Sequence, residues 1–190
     1  MKRLTVFGLL KTILYILIGA FIIIGNVFIR DFVHEYINYI VGVPMFIGIS
    51  LSISHDFKYK TYLNDENYIA SHFISLFISV LIILARLIFK DEDNAIVCIL
   101  WGIVTIMNSS LRLNRCINEA IKKEPFIFET VETLIEIGLS ILLIYDPYEH
   151  VNLHIFVLGT EYILEAFMAL ILNVKKYVSN NIVESNGKID

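Results

Sequence analysis

Long apolar runs alternate with short polar breaks along the whole chain. Six runs stand out: Leu9–Ile29, Ile37–Ile53, Ile69–Phe89, Ala95–Leu111 with a polar extension, Phe128–Ile144 and Val151–Val174. A bilayer core of about 30 Å is crossed by roughly 20 helical residues. The runs show little two-residue alternation, which argues for helices rather than barrel strands. The pattern therefore predicts an all-α membrane protein of six transmembrane helices. It also repeats. Ile18-Gly19 is followed by Gly42, Ile78-Ser79 by Gly102, and Ile137-Gly138 by Gly159, at nearly the same separation each time. Each pair brackets an apolar run, a polar break and a second apolar run. The regular recurrence suggests three tandem helical hairpins, at about 9–54, 69–120 and 128–174.

Composition agrees. Hydrophobic residues make up 57% of the chain and charged residues 18%, against about 25% charge in an ordinary soluble domain. The net charge is only −4. No basic stripe with interleaved aromatics is present, so nucleic acid is not an expected partner. Cys98 and Cys116 fall on one expected helix, roughly 27 Å apart along its axis, too far to bridge. The first run is too long for the apolar core of a signal peptide, and no A-x-A site follows it. It is expected to remain as the first span.

Lysine and arginine set the expected orientation. Lys2, Arg3, Lys11, Lys58, Lys60, Arg112, Arg115, Lys122, Lys123, Lys175, Lys176 and Lys188 fall on one side, and Arg30 and Lys90 on the other, with Arg86 one turn inside that second side. The bias places both termini in the cytoplasm. The outer breaks, Arg30–Tyr36, Lys90–Asn94 and Asp146–His150, are short enough to make the two helices of each hairpin antiparallel neighbours. The fourth helix is expected to continue to about Ala120 and stop before Pro125. Residues 1–178 would form one membrane domain. The polar segment 179–190 is expected to be a disordered cytoplasmic tail.

The second helices of the three units read Ile40-Val41-Gly42, Leu100-Trp101-Gly102 and Val157-Leu158-Gly159. With a glycine in a first helix, Gly159-Thr160-Glu161 in the last span, Arg112 near the end of the fourth and Glu136 in the fifth, the chain resembles the HdeD-like family of six-span bacterial membrane proteins over about residues 10 to 175. That family often carries a second small residue about six positions after the aliphatic-Gly motif. Gly48 matches it, whereas Asn108 and Glu165 depart from it. The resemblance implies a multi-pass protein of the bacterial inner membrane, linked to acid or envelope stress, without established enzyme activity or cofactor.

Ionisable residues inside a bilayer cost on the order of 3 kcal/mol each on insertion scales, so they seek partners in the bundle interior. Glu132 and Glu136 share a helix face, extended by Glu129; Glu161 and Glu165 share another. Arg112 and Arg115 are the natural counterions, with Asn108 one turn deeper as a neutral donor. Two readings follow. The network either braces the hairpins or lines a cavity for a proton, a cation or a small solute. On the outer side His34, His150 and His154 stand among Asp31, Glu35, Asp91, Glu92, Asp93, Asp146 and Glu149. Histidine changes charge in mild acid, so this face is a candidate pH sensor. A His150/His154 metal pair lacks an assured third ligand, and no metal is expected. Cys98 and His154 lie at similar depth, which allows a dyad. No nucleophile elbow, zinc-protease helix or phosphate loop is present. The sequence thus points to a non-enzymatic membrane protein without cofactor. The alternative is a small transporter or channel. Membrane lipids are the expected surroundings, and a second copy or another membrane protein is the partner its surface leaves open.

Overall fold

The computed structural model describes residues 2–59, 66–89, 94–121, 127–145 and 147–186, with side chains over most of the helices. Six α-helices account for nearly all of them: α1 (Lys2–Phe28), α2 (Arg30–Tyr59), α3 (Glu66–Phe89), α4 (Ala95–Ile121), α5 (Ile127–Ile144) and α6 (Val151–Asn186). Four stretches are long and apolar enough to cross a membrane: Arg30–Ser54, Ile69–Phe89, Ala95–Asn118 and Val151–Met168. They point to a membrane protein. α1 contributes a shorter apolar stretch, Thr12–Phe28. α5 has only 18 residues and carries Glu129, Glu132 and Glu136.

Two boundaries differ from expectation. α2 begins at Arg30, so Ile29 is the whole break after α1. The backbone is barely interrupted there: the Ile29 amide donates to Gly25 and the Val33 amide to Ile29. Polarity in Arg30–Tyr36 marked an interface, not a loop, because nothing in that segment breaks a helix. Likewise α6 continues to Asn186, well into the segment expected to be a disordered tail. No glycine or proline occurs between Gly159 and Gly187, so the ladder meets no local stop before Gly187. Residues 60–65, 90–93, 122–126, 146 and 187–190 lie outside the described residues. With them lie the expected positions of Lys60, Lys90, Asp91, Glu92, Asp93, Lys122, Lys123, Asp146 and Lys188.

The helices form a closed circuit in chain order, α1 to α6, with α6 returning to α1. The helices of each expected hairpin do touch. The most extensive packing, however, runs between units: α2 along α3, α4 along α5, and α6 along α1. Glycines explain this. Gly159 faces Gly19, Ile22 and Ile23; a Cβ there would lie 2.8 Å from Ile23 and 3.1 Å from the Gly19 carbonyl oxygen. Gly102 faces Ser140, Leu143 and Ile144 of α5, and Gly42 faces Ile82 and Ile83 of α3. Small residues at these three crossings let the backbones approach closely. Gly138, expected to serve in the same way, has nothing within 4 Å of its would-be Cβ. Ser140, two positions on, holds that place instead.

The outer surface is apolar, and the interior combines an apolar core, with Ile22, Val41, Ile82 and Leu158 fully buried, with a set of buried polar groups. The buried residues of α5 are Glu129, Glu132, Thr133, Glu136, Ser140 and Leu143, while Val131, Leu134, Ile135, Ile141 and Leu142 are exposed. Leu17, Phe77, Leu87 and Leu153 are also exposed on the surface. An apolar skin of this extent is foreign to a soluble monomer. Inside, Trp101 stacks on Tyr162 at 4.3 Å, and Tyr15 meets Tyr162 edge-on at 5.3 Å. The Tyr162 hydroxyl donates to the Val41 carbonyl at 2.9 Å.

Candidate functional site

The polar interior begins with spacing. Trp101, Thr105, Asn108, Arg112 and Arg115 recur on α4 at steps of four, three, four and three, which puts them in one stripe along the helix. Glu136 and Ser140 of α5 and Glu161 and Glu165 of α6 make matching stripes at steps of four. Helical rotation brings these three faces together.

Arg112 stands between two acids. Its Nη1 donates to Glu136 Oε2 at 2.7 Å and Oε1 at 2.9 Å, and its Nη2 donates to Glu165 Oε2. Ser109 donates to Glu136 Oε2 at 3.0 Å. The two partners are not alike. The Glu136 side chain is 2% exposed and held by both Arg112 and Ser109, whereas Glu165 is 27% exposed and joins through one oxygen. Glu161 belongs to a separate net. Its Oε2 accepts from Trp101 Nε1 at 2.6 Å and from Thr105 at 3.3 Å, and its Oε1 lies 2.9 Å from Ser140 Oγ. Ser140 Oγ also donates to the Glu136 carbonyl at 2.7 Å, which links the two nets. Glu132 is buried beside them with Oε2 unpaired. Arg115, expected as a counterion to the acids, forms no ion pair or hydrogen bond among the described residues. It is exposed and lines a cavity instead.

That cavity has a volume of about 220 Å³ and lies toward the end where α2 finishes and α3 begins. Tyr15, Met45 and Trp101 line its deeper part; Arg112 and Arg115 of α4, Glu165 and Met168 of α6, and Ser71, His72 and Ser75 of α3 also line it. Ser75 is 2% exposed, and its hydroxyl has no partner among the described residues. The three positions compared with the family's second small residue, Gly48, Asn108 and Glu165, all line this space. The two that depart from the pattern are the two that bring polar groups to it.

The histidines are not gathered into one site. His34 is half-buried on α2, and its carbonyl accepts from Asn94 Nδ2 at 2.5 Å. His150 is exposed just before α6. His154 is buried, with Nδ1 2.7 Å from the His150 carbonyl and Nε2 3.0 Å from the Tyr145 carbonyl. Carbonyls only accept, so the neutral ring, with one N–H, makes one of these bonds and the doubly protonated ring makes both. Either way both nitrogens face backbone oxygens, so His154 is not left free as a base for Cys98. Among the described residues, no three His, Cys, Asp or Glu are placed to hold a metal ion.

Sequence reasoning finds Arg112, Asn108 and the four acids but passes over Trp101, Thr105, Ser109, Ser140 and Ser75. The signal for the first two is the α4 stripe itself. For the serines it is their place on the same helix faces as the acids and His72. Compared with known proteins, the chain matches no family model, no curated protein and no solved structure.

Proposed function

We propose that the chain is a non-enzymatic, six-span protein of the bacterial inner membrane, with both termini cytoplasmic, whose helix circuit encloses a site for a small polar solute or ion. One observation carries this reading: a cavity of about 220 Å³ that reaches the Arg112–Glu165 pair from the α2–α3 end of the bundle. A purely bracing network needs no such space, and burying charges beside it adds desolvation cost without adding cohesion. Repeated hairpins that place a polar site where the units meet are a common plan among small transporters. Lysine and arginine asymmetry supports the orientation, with the cavity mouth toward the cytoplasm. The resemblance to HdeD-like proteins supports a link to acid or envelope stress, and the site gives that link a physical basis in solute or proton handling.

The test is access. Cys98 and Cys116 are both buried and are replaced by Ala. Ser75→Cys is then introduced in inside-out membrane vesicles. A charged, membrane-impermeant thiol reagent is expected to label residue 75 from the cytoplasmic side, and a Leu17→Cys control on the apolar skin is expected to resist. Resistance at residue 75 in folded protein removes the solute-site reading and leaves a braced bundle.

A further inference from the structure

We propose that this cavity is a seat for a short-chain carboxylate, and that Glu165 occupies the seat as an internal stand-in until such a ligand displaces it. The inference rests on the solute-site reading above and names its ligand class.

Four observations converge. First, the cavity lining carries two guanidinium groups, Arg112 and Arg115, against one carboxylate, Glu165, which pairs with Arg112. Second, Arg112 has one fixed and one exchangeable partner. Glu136 is fully enclosed and also held by Ser109, while Glu165 lies on the cavity surface and binds through a single oxygen. A ligand carboxylate can take over that single contact while Glu136 keeps Arg112 in place. Third, Arg115 has no partner among the described residues, and its planar fork suits two oxygens of one carboxylate. Fourth, Ser75 of α3 also lines the cavity, and its buried hydroxyl has no partner among the described residues. An unmade hydrogen bond at a buried group is costly, and rotation of that hydroxyl toward the cavity would let a ligand oxygen satisfy it. Tyr15, Met45 and Trp101 line the deeper part of the cavity, which favours a short alkyl end over a fully hydrated ion such as phosphate. A cavity of about 220 Å³ suits a ligand of a few carbons.

Trp101 is the only tryptophan of the chain and lines the cavity, so its fluorescence reports on occupancy. Propionate titrated into the purified full chain in detergent should change Trp101 emission saturably. Arg115→Gln should raise the midpoint about tenfold or more, the scale of one lost charge-assisted pair. Arg115→Lys should recover part of the loss, and Glu165→Gln should lower the midpoint below wild type. Size-exclusion profiles and melting curves check each variant's fold. Separately, propionate should slow thiol labelling of Ser75→Cys. A flat response, equal midpoints in wild type and Arg115→Gln, or saturation by tetramethylammonium or inorganic phosphate in place of propionate would overturn the carboxylate seat. If residue 75 is labelled but propionate gives no protection, only the ligand class fails. If residue 75 is never labelled, the underlying solute site fails with it.

Discussion

At the scale of single residues, the two acids on Arg112 should differ in what they hold up. Glu136→Leu leaves a buried guanidinium short of its principal partner and strands Ser109, so a loss of about 3 kcal/mol is expected. Glu165→Leu removes a partner that is partly open to the cavity, and the loss should be about 1 kcal/mol or less. Unfolding in detergent, followed by circular dichroism, ranks the two; equal losses would mean that their burial does not set their roles. His154→Gln should cost about 1 kcal/mol, since one amide group cannot serve the His150 and Tyr145 carbonyls from the positions of the two ring nitrogens. Much of the site was legible at this scale. Helical spacing alone places Trp101, Asn108, Arg112 and Arg115 on one face, and Glu161 with Glu165 on another. Which acid meets which base was not legible, because spacing fixes rotation about a helix axis but not the sliding of one helix along its neighbour. Arg112 and Arg115 are nearly equivalent by sequence; one turn of register separates an interior ion pair from an exposed cation that lines the cavity.

At the scale of helices, the crossings set the packing. A Cβ on Gly19 would lie 2.6 Å from the Gly159 carbonyl oxygen, so Gly19→Val should force α1 off α6 and cost about 1–3 kcal/mol. Gly138→Ala meets open space and should be neutral or stabilising by up to about 1 kcal/mol, because alanine favours a helix interior over glycine. Comparing melting temperatures of the two variants checks the assignment, and a damaging Gly138→Ala would contradict it. The six helices themselves were readable from the runs of apolar residues. The partner with the longest shared contact was not. A short connection such as Ile29 keeps α1 and α2 adjacent, but closeness along their length needs small residues on both faces. Those lie at Gly42, Gly102 and Gly159, facing the next unit. The glycine repeat was visible, yet the first-helix glycine of its third unit, Gly138, meets open space, and Ser140 instead faces Gly102 at the α4–α5 crossing without looking like a glycine motif.

At the scale of the whole molecule, an apolar skin surrounds a core that is itself largely apolar and carries a polar network on α4, α5 and α6, and substitutions should be judged by which side they touch. Phe77→Arg, on the skin, should impair membrane insertion by about 3 kcal/mol, read as a fall in the membrane-inserted fraction; unchanged insertion would place Phe77 away from lipid. Asn26 near the end of α1 donates to the Asn152 carbonyl near the start of α6 at 3.2 Å, while Gly19 and Gly159 meet farther along. The first and last helices therefore run in opposite senses, and the start of one and the finish of the other emerge on the same side. Their seam is as close as any inside the bundle. A circularly permuted chain, opened between Phe89 and Asn94 with its original ends spliced by a flexible tether, should thus assemble the same bundle: where translation starts is interchangeable around the ring.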